Sequence, residues 1–114
     1  MSLVDAIVVG RGPAGLAAAV QLARLGRSVT IVDDDAGRSL WAQVTRNYLG
    51  FPGGVPAADL RLLGQRQATD YGAKLTGGRV VDARPRPDGT FALRVRPARA
   101  VDAAASGGEA LDGR

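Results

Sequence analysis

The chain has 114 residues, 46% of them hydrophobic but only 4% aromatic, enough for one small domain whose core is built from Val, Ile, Leu and Ala. Its net charge is +4, and every basic residue except Lys74 is an arginine; these are scattered (Arg11, Arg24, Arg27, Arg46, Arg61, Arg66) and lack an aromatic platform for bases, which argues against nucleic acid as a partner. Cysteine and histidine are absent, which excludes disulfides, thiolate metal sites, cysteine nucleophiles and histidine bases within the chain; no metal ligand and no catalytic residue is singled out.

Val4-Asp5-Ala6-Ile7-Val8-Val9 is a nearly continuous apolar run, predicting a parallel strand buried on both faces. Gly10-Arg11-Gly12-Pro13-Ala14-Gly15 follows at once. The helix former Leu16–Leu25 comes next, with Gly26 where a helix C-terminal glycine belongs. Ser28–Val32 is β-branched and predicts a second strand that stops at Asp33-Asp34-Asp35. The βαβ unit takes about 30 residues, the length such a unit requires.

Residues 36–55 have no clear period and predict an ordered loop marked by Gly37, Gly50, Pro52, Gly53 and Gly54. Pro56 to Tyr71 predicts a helix with Leu60, Leu63 and Ala68 inward, Gly64 as a weak point and Gly72 closing it. Ala73–Thr76 suggests a third parallel strand. Beyond Gly78, Arg79–Arg84 and Thr90–Val95 flank a turn ending in Asp88-Gly89 and predict a hairpin, with Phe91, Leu93 and Val95 on one face. The expected fold is therefore α/β: a Rossmann-like βαβ dinucleotide-binding fold with an incomplete parallel sheet and a small antiparallel hairpin. Residues 1–96 form this partial domain, and 97–114 are expected to be a disordered tail.

The chemistry rests on G-x-G-x-x-G between a strand and a helix, with an acid at the tip of the next strand. Gly10 permits the tight turn, Gly12 lets a pyrophosphate approach the backbone, and Gly15 lets the helix pack closely on the sheet. Pro13 lacks an N–H and suits the first helical turn, where that donor has no partner. The free N–H groups of the helix start, Ala14 among them, then face the phosphates. Asp33, eighteen residues beyond Gly15, can accept both hydroxyls of an adenosine ribose and would repel a 2′-phosphate. Asp34 and Asp35 reinforce the repulsion or are solvated turn residues. By this motif alone the ligand is FAD or NAD.

Arg46-Asn47-Tyr48-Leu49-Gly50-Phe51-Pro52-Gly53-Gly54-Val55 resembles the N-[FY]-x-G-[FY]-P stretch of the thioredoxin-reductase-like flavoproteins. Val8-Val9-Gly10-Arg11-Gly12-Pro13-Ala14-Gly15-Leu16 resembles their V-G-x-G-P-A-G-L signature, and the likeness runs from Val4 to about Val95. The resemblance implies an FAD site in which Gly10, Gly12, Pro13, Ala14 and Gly15 lie at the pyrophosphate. It further implies Asp33 on the ribose, Asn47 near the flavin, and Val81, or Val80 beside it, offering backbone groups to the adenine. Trp41 would stack on the flavin or pack beneath the loop, and Tyr48 and Phe51 would anchor that loop. The chain departs from the family in lacking the NADPH-binding domain, the redox cysteine pair and the flavin-side end of the FAD domain. The expectation is thus an FAD-binding module of an NAD(P)H-dependent oxidoreductase, inactive by itself and complemented by a missing domain or a second chain. The alternatives are an NAD-binding dehydrogenase fragment and a non-enzymatic, degenerate nucleotide- or partner-binding protein.

No apolar run approaches the roughly 20 residues that span a bilayer, and the first strand begins close to Met1, leaving no room for a signal peptide. The expected location is cytoplasmic, with no membrane partner. A sheet missing strands exposes an edge and would favour self-association into a homo-oligomer.

Overall fold

The structure, a computed structural model, describes residues 3–35, 43–97 and 109–113. In chain order the elements are β1 (Leu3–Val4), β2 (Ala6–Val9), α1 (Pro13–Arg24), β3 (Val29–Asp33), β4 (Val44–Thr45), β5 (Val55–Pro56), α2 (Ala57–Asp70), β6 (Lys74–Gly77), β7 (Arg79–Pro85), β8 (Phe91–Arg96) and β9 (Glu109–Gly113). Three parallel strands form one sheet in the order β2-β3-β6; a second sheet has the order β1-β9-β8-β7; β4 and β5 form a short antiparallel pair. The α/β class and the parallel βαβ unit agree with the sequence.

β3 is the centre of the parallel sheet, and all five of its residues are buried. Its β-branched side chains suit a strand flanked on both edges. Ile31 and Val32 are almost wholly withdrawn from water, which for side chains of this size contributes about 1.5–3 kcal/mol each. On one face the sheet packs against α1 through Leu16, Ala19, Val20 and Ala23, and Ala68 of α2 joins the same core. Both helices end in the same backbone device. Arg27 N–H bonds the Leu22 carbonyl and Gly26 N–H that of Ala23; Ala73 and Gly72 repeat the pattern on Ala68 and Thr69.

Several expectations change. The first strand is divided at Asp5, whose N–H donates to Ser28 Oγ at 2.8 Å while its carboxylate accepts from Ser28 N–H at 3.0 Å. That exchange draws the backbone out of the ladder. The stretch is not buried on both faces either: β2 is an edge strand, and Val9 is 61% exposed. Within 36–55, the segments β4 and β5 pair antiparallel. In α2, Leu63 points outward at 57% exposure, and Gly64 takes the inward position instead. A Cβ at Gly64 would lie 3.0 Å from Leu16 Cδ1, so the missing side chain lets the helices cross closely, and α2 runs through this residue unbroken.

The hairpin is part of a larger sheet. β9, in the stretch expected to be a disordered tail, pairs antiparallel with β8 and parallel with β1. It satisfies the backbone groups along β8 that a two-stranded hairpin would leave at an edge. A Cβ on Gly113 would lie 2.8 Å from Ile7 Cδ1, so this end of β9 seats directly on β2. Of the three residues expected on one face, Leu93 and Val95 are buried and Phe91, at the strand end, is exposed.

Candidate functional site

The glycine turn and Asp33 come together at the C-terminal end of the parallel sheet. β2 ends at Val9, and Gly10 turns the chain with φ +97°, the left-handed region where glycine is unstrained. Gly10 N–H still bonds the Val32 carbonyl at 2.7 Å, which ties the turn to the tip of β3. Gly12 is the extended N-cap residue of α1 and Pro13 the first helical residue. A Cβ on Gly15 would overlap the Gly10 carbonyl oxygen, so glycine is what allows α1 to start this close to β2. No side chain caps α1. Its first N–H groups are therefore offered beside the turn, with the positive end of the helix dipole behind them.

Asp33 closes the other side of the corner at the end of β3, its side chain 8% exposed. Its Oδ1 accepts from Arg11 N–H at 3.1 Å, which points the carboxylate at the glycine turn. Its Oδ2 accepts from three donors: Arg11 Nε at 3.0 Å, Arg61 Nη2 at 3.0 Å and Asp35 N–H at 2.9 Å. The last of these is an Asx-turn that curls the strand tip. Asp35 follows with φ +62°, in the left-handed region, and its Oδ1 accepts from Arg61 Nη2 at 2.9 Å and from Arg11 Nη2. Arg11 Nη1 donates to Gln65 Oε1. The hydrogen bond from Arg11 above all, then the charge of Arg11 and the hydrogen bond and charge of Arg61, together outweigh the opposing effect of desolvation and hold the Asp35 carboxyl below its ordinary value.

Little in the sequence announces this network. Arg11 is the variable residue of the glycine motif, and Arg61 arrives from α2, fifty residues later. Asp35 is no free turn residue, and the exposed Arg79 approaches Asp34 at 3.9 Å. The tip therefore carries two guanidinium groups next to its carboxylates, and the local charge is much less negative than three consecutive aspartates suggest. The spare capacity of Asp33 for a ligand is on Oδ1, since Oδ2 is already met by three donors.

Asn47 lies in the exposed segment after β4. Neighbouring Thr45 and Tyr48 face Pro13 and Leu16 across a groove, which brings the segment alongside the start of α1. Tyr48 and Phe51 have ring centroids 6.2 Å apart. Val81 falls at an irregularity of the β7–β8 ladder, between the pairs Val80–Val95 and Asp82–Arg94, and has no register partner in that ladder. Gly78 N–H donates to the Asp33 carbonyl at 2.9 Å, joining the start of β7 to the tip of β3. Trp41 lies outside the described residues. The groove itself, about 420 Å³ and lined by Leu16, Val20, Leu60, Gly64 and Phe51 among others, runs along the helical layer and shares only Pro13 with the corner motif. Among the described residues no group of acidic side chains could hold a metal ion, and no helix is long and apolar enough to cross a membrane.

The FAD binding domain family matches residues 5–59, a span that contains the glycine corner, Asp33 and Asn47. Thioredoxin reductase of Aquifex aeolicus is 34% identical over 79 residues, which cover 68% of this chain and 24% of that protein. The chain is an FAD-binding segment of the thioredoxin-reductase-like type. Its fold agrees: the atypical thioredoxin reductase TRi of Desulfovibrio vulgaris Hildenborough superposes with a TM-score of 0.71 and 32% identity, over 80% of this chain and 30% of that one. The crystal structure of HlmI gives 0.77 and 30%, over 97% of this chain and 32% of the other. This FAD-binding segment thus spans about a quarter of the curated relative and about a third of the solved chains. The cofactor is FAD, which settles the choice that the glycine motif alone leaves open.

Proposed function

We propose that the thioredoxin-reductase-like segment holds the adenosine-diphosphate half of FAD for an NAD(P)H-dependent oxidoreductase whose remaining parts come from a further domain or a complementing chain. Residues 1–96, with β9 added to them, are the partial FAD-binding domain. The observation that carries this is the corner itself: a left-handed Gly10, a Gly15 with no room for Cβ, and an uncapped helix start opposite a carboxylate. An anion with sugar attached is the ligand these features suit together.

In this reading the N–H groups at Gly12, Ala14 and Gly15 bind the diphosphate oxygens, while Gly10 and Pro13 set the backbone path. Oδ1 of Asp33 takes a ribose hydroxyl. The backbone of Val81, which lacks a register partner, meets the adenine, and the amide of Asn47 meets the flavin from the segment beside α1. FAD, when bound, supplies the electron-carrying ring; the chain's own residues bind and orient it. Neither a hydride-donor site nor a dithiol is built from these residues, so reduction and thiol transfer belong to the complementing part.

Titration of FAD into the purified chain, followed by flavin fluorescence and calorimetry, tests the reading. Saturable binding that weakens at least about tenfold (~1.4 kcal/mol) in Gly12→Val is expected, because a branched side chain would stand in the diphosphate's path. Equal affinity in the two proteins would refute it.

A further inference from the structure

We infer that Arg11 and Arg61 form a guanidinium cradle in which Asp33 is the resident anion, and that the cradle is a latent 2′-phosphate site which Asp33 keeps closed. The inference rests on the reading above insofar as the adenosine half of the cofactor lies at the corner.

The sequence alone assigns rejection of a 2′-phosphate to a run of negative charge. The structure distributes that role differently. Arg61 and Arg11 have side chains only 10% and 18% exposed, and both reach Asp33 Oδ2 and Asp35 Oδ1. Two cations and two anions thus balance at the tip, with Asp34 set apart beside Arg79 and Gln65 the neutral acceptor for the remaining Arg11 nitrogen. A balanced tip does not repel a phosphate by net charge. It excludes one because carboxylate oxygens already take Arg11 Nε, Arg11 Nη2 and Arg61 Nη2.

Those positions have the chemistry of a phosphate site. Planar guanidinium groups match phosphate oxygens through paired N–H donors, and an arginine near the strand tip is how this class of fold accommodates a 2′-phosphate. Removing the resident carboxylates leaves two largely buried cations without counter-ions, an unfavourable state that an incoming dianion relieves. Asp35 is the readily displaced member: it is 63% exposed and sits on left-handed backbone. Asp33 is the fixed one, held by Arg11 N–H and the Asx-turn as well as by the side chains.

The test compares ADP with 2′-phospho-ADP, which differ only in the phosphate at issue, by calorimetry on the whole chain. Wild type is expected to favour ADP by about tenfold or more, and the Asp33→Asn/Asp35→Asn variant to favour 2′-phospho-ADP by about tenfold, the ratio that ~1.4 kcal/mol produces. Adding Arg61→Gln to that variant should abolish the new preference. A folded double variant that binds ADP yet still rejects 2′-phospho-ADP overturns the inference while leaving the FAD reading intact. A second measurement is independent of adenosine. Inorganic phosphate, against chloride at equal ionic strength, should raise the melting temperature of the double variant and of the milder Asp33→Asn, but not of wild type. If that stabilisation appears while wild type ignores ADP, the cradle stands and the FAD reading fails. If no variant responds to phosphate, the cradle is refuted, including in the case where the double variant does not fold and Asp33→Asn alone can be measured.

Discussion

Gly15→Ala is the substitution for which general helix propensity and this structure predict opposite signs. In an ordinary helix, replacing glycine by alanine is favourable by about 1 kcal/mol, because alanine restricts the unfolded chain and suits the helix. At Gly15 the added methyl would overlap the Gly10 carbonyl oxygen and lie 3.2 Å from both the Gly10 carbonyl carbon and Val8 Cγ1. Two of those three atoms are backbone of the turn, which is itself bonded to Val32, so they cannot rotate aside. Overpacking of this kind costs roughly 1–3 kcal/mol, and more when backbone must shift. The net expectation is destabilisation by about 1–2 kcal/mol, a fall of roughly 4–16 °C in Tm for a domain of this size. Gly64→Ala provides the internal control. Its methyl would meet only the Leu16 side chain, at 3.0 Å and beyond, and the nearest atom is the movable Cδ1. Propensity and contact nearly cancel there, so the expected change is within about 0.5 kcal/mol. Urea unfolding followed by circular dichroism measures both. A Gly15→Ala protein as stable as wild type would refute the claim that helix and strand are held at glycine distance.

Asp33→Ala removes the acceptor shared by Arg11 and Arg61, and should lower unfolding free energy by about 1–3 kcal/mol in denaturant melts as well as weaken FAD in calorimetry. Asp35 has a folded-state pKa below the ordinary carboxylate value of 3.8, so its contribution to stability is present above that pH and is lost as pH falls through the lower folded value. Thermal melts at pH 5 and pH 3 should therefore converge more closely for Asp35→Asn than for wild type, by under about 1 kcal/mol because the group is exposed. Gly78→Ala would push a methyl into Val95 Cγ1 and to 2.9 Å from the Arg96 carbonyl oxygen, and should cost about 1–3 kcal/mol, measured by the same urea titration.

The corner was legible because its determinants are local. Three glycines at fixed spacing, a β-branched strand on each side and an acid at the second tip all fall within the first thirty-three residues. The helix closed by Gly72 and the strand pair around Asp88-Gly89 were legible for the same reason. What the sequence concealed depends on distant pairing. Glu-Ala-Leu-Asp-Gly has neither β-branched residues nor alternation, and β9 exists through the backbone partners that β8 and β1 supply. The inward place of Gly64 follows from how closely α2 crosses Leu16, not from hydrophobic periodicity within α2. The guanidinium cradle joins a motif position that tolerates many residues to an arginine on a separate helix. The only sequence sign that could have drawn notice to it is a positive charge placed inside a glycine loop just before an acidic strand tip.

Amide chemical shifts of the isotope-labelled chain during FAD titration test the central claim most directly, because they separate the corner from the groove of the helical layer. The largest changes are expected at Arg11 to Gly15 and at Asp33 to Asp35, with smaller ones at Asn47 and Val81. Changes centred instead on Val20, Gly64 and Gln67, or none at all at saturating FAD, would contradict the account.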